Sequence, residues 1–187
     1  MIRKSLLIAM LLLASLDRSS AAPGWTLEPA ASKLTFEVTQ AGGEVKGEFR
    51  RFDADIVFDR NDLPASKVRV VVDILSVTTG AADRDQELPK PDWFDAARFP
   101  KAVFDADRFE AVDDRHFVAK GTLALRDLKQ VISLPFTLDL QDDTAVMDGR
   151  LELDRNAFGV GQGAWAASDI VGRKVAVIIH LQARRKT

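Results

Sequence analysis

Apolar residues at every second position, in short blocks separated by turn residues, constrain this chain more than any other feature. Val68, Val70, Val72 and Ile74 share one side of such a block; Leu34, Phe36 and Val38 share another, and Val175, Val177, Ile179 and Leu181 a third. A period of two belongs to a strand, whose side chains alternate between faces, whereas a helix repeats at 3.6. Ala41-Gly42-Gly43-Glu44, Asp113-Asp114 and Gln141-Asp142-Asp143 punctuate the blocks. Turns this short join antiparallel neighbours and cannot join parallel ones. Strands are therefore predicted over 25–27, 34–39, 45–49, 52–58, 67–77, 102–110, 116–125, 131–140, 146–153 and 174–183. With about eight to ten short strands, a sandwich and a barrel both fit. Segments 70–72 and 132–140 are apolar on both faces. One face then packs or lines an interior, and the other lies under loops or in a homodimer contact.

The stretch 79–104 interrupts this pattern. Pro89 and Pro91 rule out one continuous helix, because each lacks an amide donor and restricts the residue before it. Asp92 suits the N-cap of a short helix over 93–98, which Pro100 ends. Trp93, Phe94 and Phe99 are too apolar for a solvated loop, so the segment is expected to fold back over one end of a sheet, as a plug or as a lid on a cavity. The neighbouring Arg84 and Asp85 read either as a pair that fixes this loop or as a place where Arg84 meets the polar end of a ligand.

The first 21 residues have the three parts of a secretory leader: basic Arg3 and Lys4, an apolar run over 5–16, and small residues ending at Ala21. A periplasmic location is expected, with residues 22–187 as one domain. Removing Arg3, Lys4, Arg18 and Asp17 from the 26 basic and 28 acidic side chains of the whole chain leaves a net charge of −4. That balance does not favour nucleic acid as a partner. There is no cysteine, so an oxidising compartment would demand no disulfide. Eleven Phe and no Tyr suggest an interior of rings without hydroxyls to satisfy.

Chemistry-bearing patterns are sparse. His116 and His180 stand apart, and no spacing of His or Cys suggests a metal site. No Gly-x-Ser-x-Gly elbow is present, and Asp113-Asp114 and Asp142-Asp143 sit in turns, where Asp serves the backbone. Gly159-Val160-Gly161-Gln162-Gly163 lacks the flanking elements of a phosphate loop and reads as a flexible connection. Trp165, just after it, is large enough to fold over a cavity mouth.

Taken together, several pieces resemble the YceI-like family. They are Trp25-Thr26-Leu27 with Ser32-Lys33-Leu34-Thr35-Phe36, then Val45-Lys46-Gly47-Glu48-Phe49 with Phe52, and Ile56-Val57-Phe58-Asp59. Arg84-Asp85 with Leu88, Trp93-Phe94-Asp95 with Phe99-Pro100 and Phe104, Gly121-Thr122-Leu123, and Asp154-Arg155 with Phe158-Gly159 complete the set. Where many relatives carry histidines, this chain has Gln40-Ala41-Gly42 and Gln86, so roles resting on those histidines do not transfer. The resemblance implies an all-β, eight-stranded antiparallel lipocalin-like barrel with a long apolar tunnel and a short helical lid segment. It implies binding or carriage of a long-chain isoprenoid lipid, with no cofactor beyond that lipid, no catalytic residue, and a membrane donor or acceptor as partner. Phe36, Val38, Phe49, Phe58, Val70, Val72 and Phe104 are the expected tunnel lining. Arg84, Trp93, Phe94, Gln162 and Trp165 are the expected mouth and lid. A filled β-sandwich interaction module and an enzyme acting on an amphipathic substrate are the alternatives. Scattered basic residues point to a neutral, quinone-type head on the lipid instead of a diphosphate.

Overall fold

The computed structural model describes residues 22–167 and 170–186; the leader read over 1–21 lies outside the described residues. Strands β1 (Gly24–Leu27), β2 (Lys33–Gln40), β3 (Gly43–Phe49), β4 (Phe52–Val57), β5 (Lys67–Asp73) and β6 (Val77–Thr78) come first. Helix α1 (Ala82–Glu87) follows. The strands β7 (Lys101–Ala111), β8 (His116–Leu125), β9 (Leu128–Gln141), β10 (Thr144–Asp154) and β11 (Val171–Arg185) finish the chain.

These eleven segments amount to eight barrel strands, because the first six are three strands broken in the middle. β1 and β2 both pair with β11, Leu27 opposite Ala183 and Lys33 opposite His180, across the short turn Pro29–Ala31. β3 runs into β4 through Arg50 and Arg51, and β5 into β6 through a single turn, Ile74–Ser76. The Asp73 carboxylate accepts from Leu75 N at 3.0 Å, which caps that turn and splits the strand expected over 67–77. Every pairing is antiparallel and each strand neighbours the next in sequence. The β1–β11 pairing closes the ring, leaving a barrel and not a two-sheet sandwich.

Two glycines let the walls close in. A Cβ on Gly47 would lie 2.3 Å from the Phe36 ring, which fills the space opposite it across the β2–β3 ladder. A Cβ on Gly121 would lie 2.3 Å from Asp105 O, beside a bulge between Ala106 and Arg108. That bulge shifts the inward parity of β7 from Ala102 and Phe104 to Phe109, a change of face that strict alternation misses.

The helix of the lid region is α1, over Ala82–Glu87, and the helix expected over 93–98 is replaced by turns. Asp95 sits there at φ +48, which no helix tolerates, and its carbonyl accepts from Arg98 N and Phe99 N at 2.9 Å each. β9 begins at Leu128 and β11 at Val171, both a few residues ahead of the pattern. Outside, the barrel carries ion pairs such as Arg69–Asp105 and Glu37 with Lys46 and Arg150, each worth little at an exposed site. His116 and His180 also face outward, against Asp113 and Asp148.

Candidate functional site

The barrel is hollow. Its interior holds a cavity of about 540 Å³, within the range of small-molecule sites. Its walls are the inward faces of every long strand, and its polar members are few: Thr35, Gln40, Thr79, Asp83, Arg84, Glu87 and Arg155.

The floor is solid. Phe58 lies edge-on to Phe109, Phe117 and Phe136, at 5.4, 5.6 and 6.1 Å between ring centroids. Trp25, only 2% exposed, closes the cluster and donates from Nε1 to Phe58 O at 3.0 Å. Phe36 and Phe49 stand higher, 5.8 Å apart, and Phe94 of the lid region meets Phe49 edge-on at the same distance.

The top is closed by two loops latched to each other. Trp93 and Trp165 pack at 5.5 Å between centroids. Gln162 N donates to Asp92 O at 2.7 Å, and Arg126 Nη1 donates to Trp93 O at 2.7 Å and to Gly159 O. Below them lies Arg155, a buried guanidinium that donates to backbone carbonyls at positions 160, 161, 165, 171 and 172. Nε bonds Gly172 O at 3.0 Å, Nη1 bonds Val160 and Gly161 O at 2.9 and 2.8 Å, and Nη2 bonds Trp165 and Val171 O at 2.6 and 2.8 Å. Burial pushes its pKa below the ordinary guanidinium value, while the neighbouring Asp154 carboxylate opposes that shift. With all five of its N–H donors engaged, Arg155 organises the loop and has none left for a ligand. Gly161 sits at φ +76 with its Cβ position 2.2 Å from Arg155 Nη1, so the glycine is required there.

α1 borders the cavity on one side. The Asp85 carboxylate accepts from Thr78 Oγ1 at 2.6 Å, and from Thr79 N and Oγ1 at 2.7 Å each. The Thr78 hydroxyl, with further help from Thr79, holds Asp85 below the usual carboxylate pKa. Arg84 donates from Nε to Thr79 Oγ1 at 3.2 Å and lines the cavity. The two neighbouring charges thus divide the roles: Asp85 pins the helix, and Arg84 faces the interior.

All seven residues expected to line a tunnel (Phe36, Val38, Phe49, Phe58, Val70, Val72 and Phe104) border this cavity, as do Arg84, Trp93, Phe94 and Trp165. Gln162 corrects the expectation. It is exposed, lies off the lining, and its amide donates to Gly159 O at 3.0 Å, because the tight glycine turn directs it back along the loop. Arg155 was missed as an organising residue. Its signal was a charged side chain placed just before Phe158-Gly159 with three glycines close behind.

A sequence model of the YceI-like domain matches residues 25–183. A UPF0312 protein of Shewanella baltica (strain OS185) is 30% identical over 131 residues, 70% of this chain and 69% of the relative. A UPF0312 protein of Vibrio vulnificus (strain YJ016) is 32% identical over 106 residues, and the match spans 56% of the length of each. Among solved structures, BcnA of Burkholderia cenocepacia superimposes with a TM-score of 0.81 at 26% identity, covering 83% of this chain and 98% of that one. A polyisoprenoid binding domain from Saccharophagus degradans shares the fold, with a TM-score of 0.72 at 16% identity, covering 87% of this chain and 98% of the other.

Proposed function

The chain belongs to the family of YceI-like domains, and from that premise we propose that it binds and carries a long-chain isoprenoid lipid inside its barrel. The observation behind this reading is the cavity of about 540 Å³, apolar from the Phe58 floor to the Trp93–Trp165 cap. Burying roughly 300 Å² of tail at about 25 cal/mol per Å² gives a gross ~7.5 kcal/mol before the costs of association. Affinity of that kind needs no reacting group, so the reading is binding and not catalysis. The name of the Saccharophagus degradans domain, a polyisoprenoid binding domain, supports the choice of an isoprenoid over other lipids.

The finer parts of the reading concern place and head group. The leader over 1–21 supports a periplasmic carrier that exchanges its lipid with a membrane donor or acceptor. Pairing of two copies through outward apolar strand faces belongs to the same reading. A neutral, quinone-type head suits the polar lining better than a diphosphate. Desolvating a diphosphate requires convergent cations, and Arg84 shares its helix with Asp83, Asp85 and Glu87, while the other guanidinium on the lining, Arg155, is saturated by carbonyls.

The test is organic extraction of the purified protein followed by mass spectrometry, with competition between a prenyl quinone and a prenyl diphosphate of equal chain length. An extracted isoprenoid and tighter binding of the quinone are expected. No lipid, together with no binding of either probe, would sink the reading. Tighter, salt-sensitive binding of the diphosphate would overturn only the head group.

A further inference from the structure

Among the described residues that line the cavity, Asp83 on α1 is the exposed one; every other is buried or half-buried. A side chain that borders both the cavity and solvent marks where the two meet. The barrel wall is weakest beside it. β6 pairs with β3 only at Glu48 and Phe49, while residues 43–47 have a strand on the β2 side alone. The chain that would continue β6 turns away at Gly80 (φ +72) to form α1. Between α1 and that bare edge no backbone ladder among the described residues holds the wall shut, and Gln40 and Val45 line the cavity on the strand side as Arg84 and Glu87 do on the helix side. The end under Trp93 and Trp165 is the opposite case, fastened by Arg126, Arg155 and the Gln162–Asp92 bond.

We propose that the ligand enters and leaves sideways, between α1 and the unpaired edge of β3, and that its head group rests on that edge while the Trp93–Trp165 cap stays shut. On the side away from β2, residues 43–47 offer backbone N–H and C=O groups with no strand partner among the described residues, which a carbonyl or hydroxyl of a neutral head can satisfy. The rim charges fit the same kind of head. Asp83, Asp85, Glu87, Glu44 and Glu48 outnumber Arg84 and Lys46 along these two elements, so an anionic head meets net repulsion. The inference rests on the lipid-binding reading but locates something that reading leaves open, the route and the resting place of the head.

Because the chain contains no cysteine, single cysteines can be labelled without background. Lys46→Cys on the β3 edge and Ala164→Cys on the cap loop, each carrying a bulky polyethylene-glycol maleimide, are compared with their unlabelled forms. Circular dichroism checks that both labelled proteins keep the fold. The readout is the rate at which a prenyl quinone quenches tryptophan fluorescence after mixing. The label at position 46 is expected to slow association about tenfold or more, and the label at 164 to leave it within about twofold. Slowing at 164 alone, equal slowing at both positions, or slowing at neither overturns the lateral route. If the unlabelled protein takes up no quinone and yields no isoprenoid on extraction, the functional reading itself fails, an outcome distinct from those three.

Discussion

At the floor of the barrel Phe58 is surrounded by three rings and Trp25 has its indole N–H satisfied, whereas at the cap Trp93 meets one ring and its Nε1 has no hydrogen-bond partner among the described residues. Both ends are aromatic, but they are held by different forces. The floor is a packed core whose rings exclude one another's space, so its stability comes from apolar area and dispersion. The cap is two loops tied by directional bonds from Arg126 and Arg155 to backbone carbonyls, with hollow space beneath. A barrel of this kind keeps its cavity by concentrating core packing at one end and letting hydrogen bonds carry the other.

The comparison can be broken from either side. Phe117→Ala, in the floor at 3% exposure, removes a ring packed against Phe58 and Phe136. It should cost about 3–5 kcal/mol in denaturant unfolding. A loss below about 1 kcal/mol would mean that the floor is not the stabilising end. Phe36→Asp places a carboxylate in the cavity wall, where desolvation costs several kcal/mol unless it is protonated or hydrated. Isoprenoid affinity should fall about a hundredfold, equivalent to roughly 2.7 kcal/mol, with the circular dichroism spectrum retained. Unfolding in place of lost binding would show that the wall, like the floor, is core.

Arg155→Met tests the cap. Filling the site with an apolar chain leaves the loop carbonyls without donors and should cost about 1.5–3 kcal/mol. Hydrogen exchange should accelerate over 159–167 while the floor strands stay protected; uniform acceleration would contradict a locally tied cap. The smallest effect concerns a turn at the floor end. Backbone amides of Arg115 and His116, with the His116 ring, lower the Asp113 pKa from an ordinary 3.8 to about 2. Since the folded value is depressed, the contribution of this carboxylate is fully present above the unfolded value and disappears as pH falls through about 2. The amide resonances of Arg115 and His116 should therefore titrate near pH 2; a midpoint near 4 would mean that the bonds do not form.

Much of the fold was legible from local pattern. Alternation placed nearly every strand, and the turns at 41–44 and 141–143 made the pairing antiparallel, because these features depend on nearest neighbours. The lid helix was misplaced because Asp92 looks like a cap locally, while the position of α1 depends on Asp85 reaching back to Thr78 and Thr79. Gln162 and Arg155 could not be assigned from sequence for a similar reason: their partners are carbonyls whose positions exist only once the glycine loop is folded.

The sequence by itself determined that the domain after residue 21 is built mainly of β-strands, that its interior is lined with Phe and aliphatic side chains, and that an aromatic, proline-bounded excursion interrupts the strands. Those are properties of period, side-chain size and backbone permissiveness, each readable within a few residues. Tertiary structure decided which face of each strand points inward, where the Ala106–Arg108 bulge swaps that face, that β1 meets β11 to close the ring, and that β3 is left with a bare edge beside α1. Register and closure are set by contacts between residues far apart in the chain, so no local pattern can carry them.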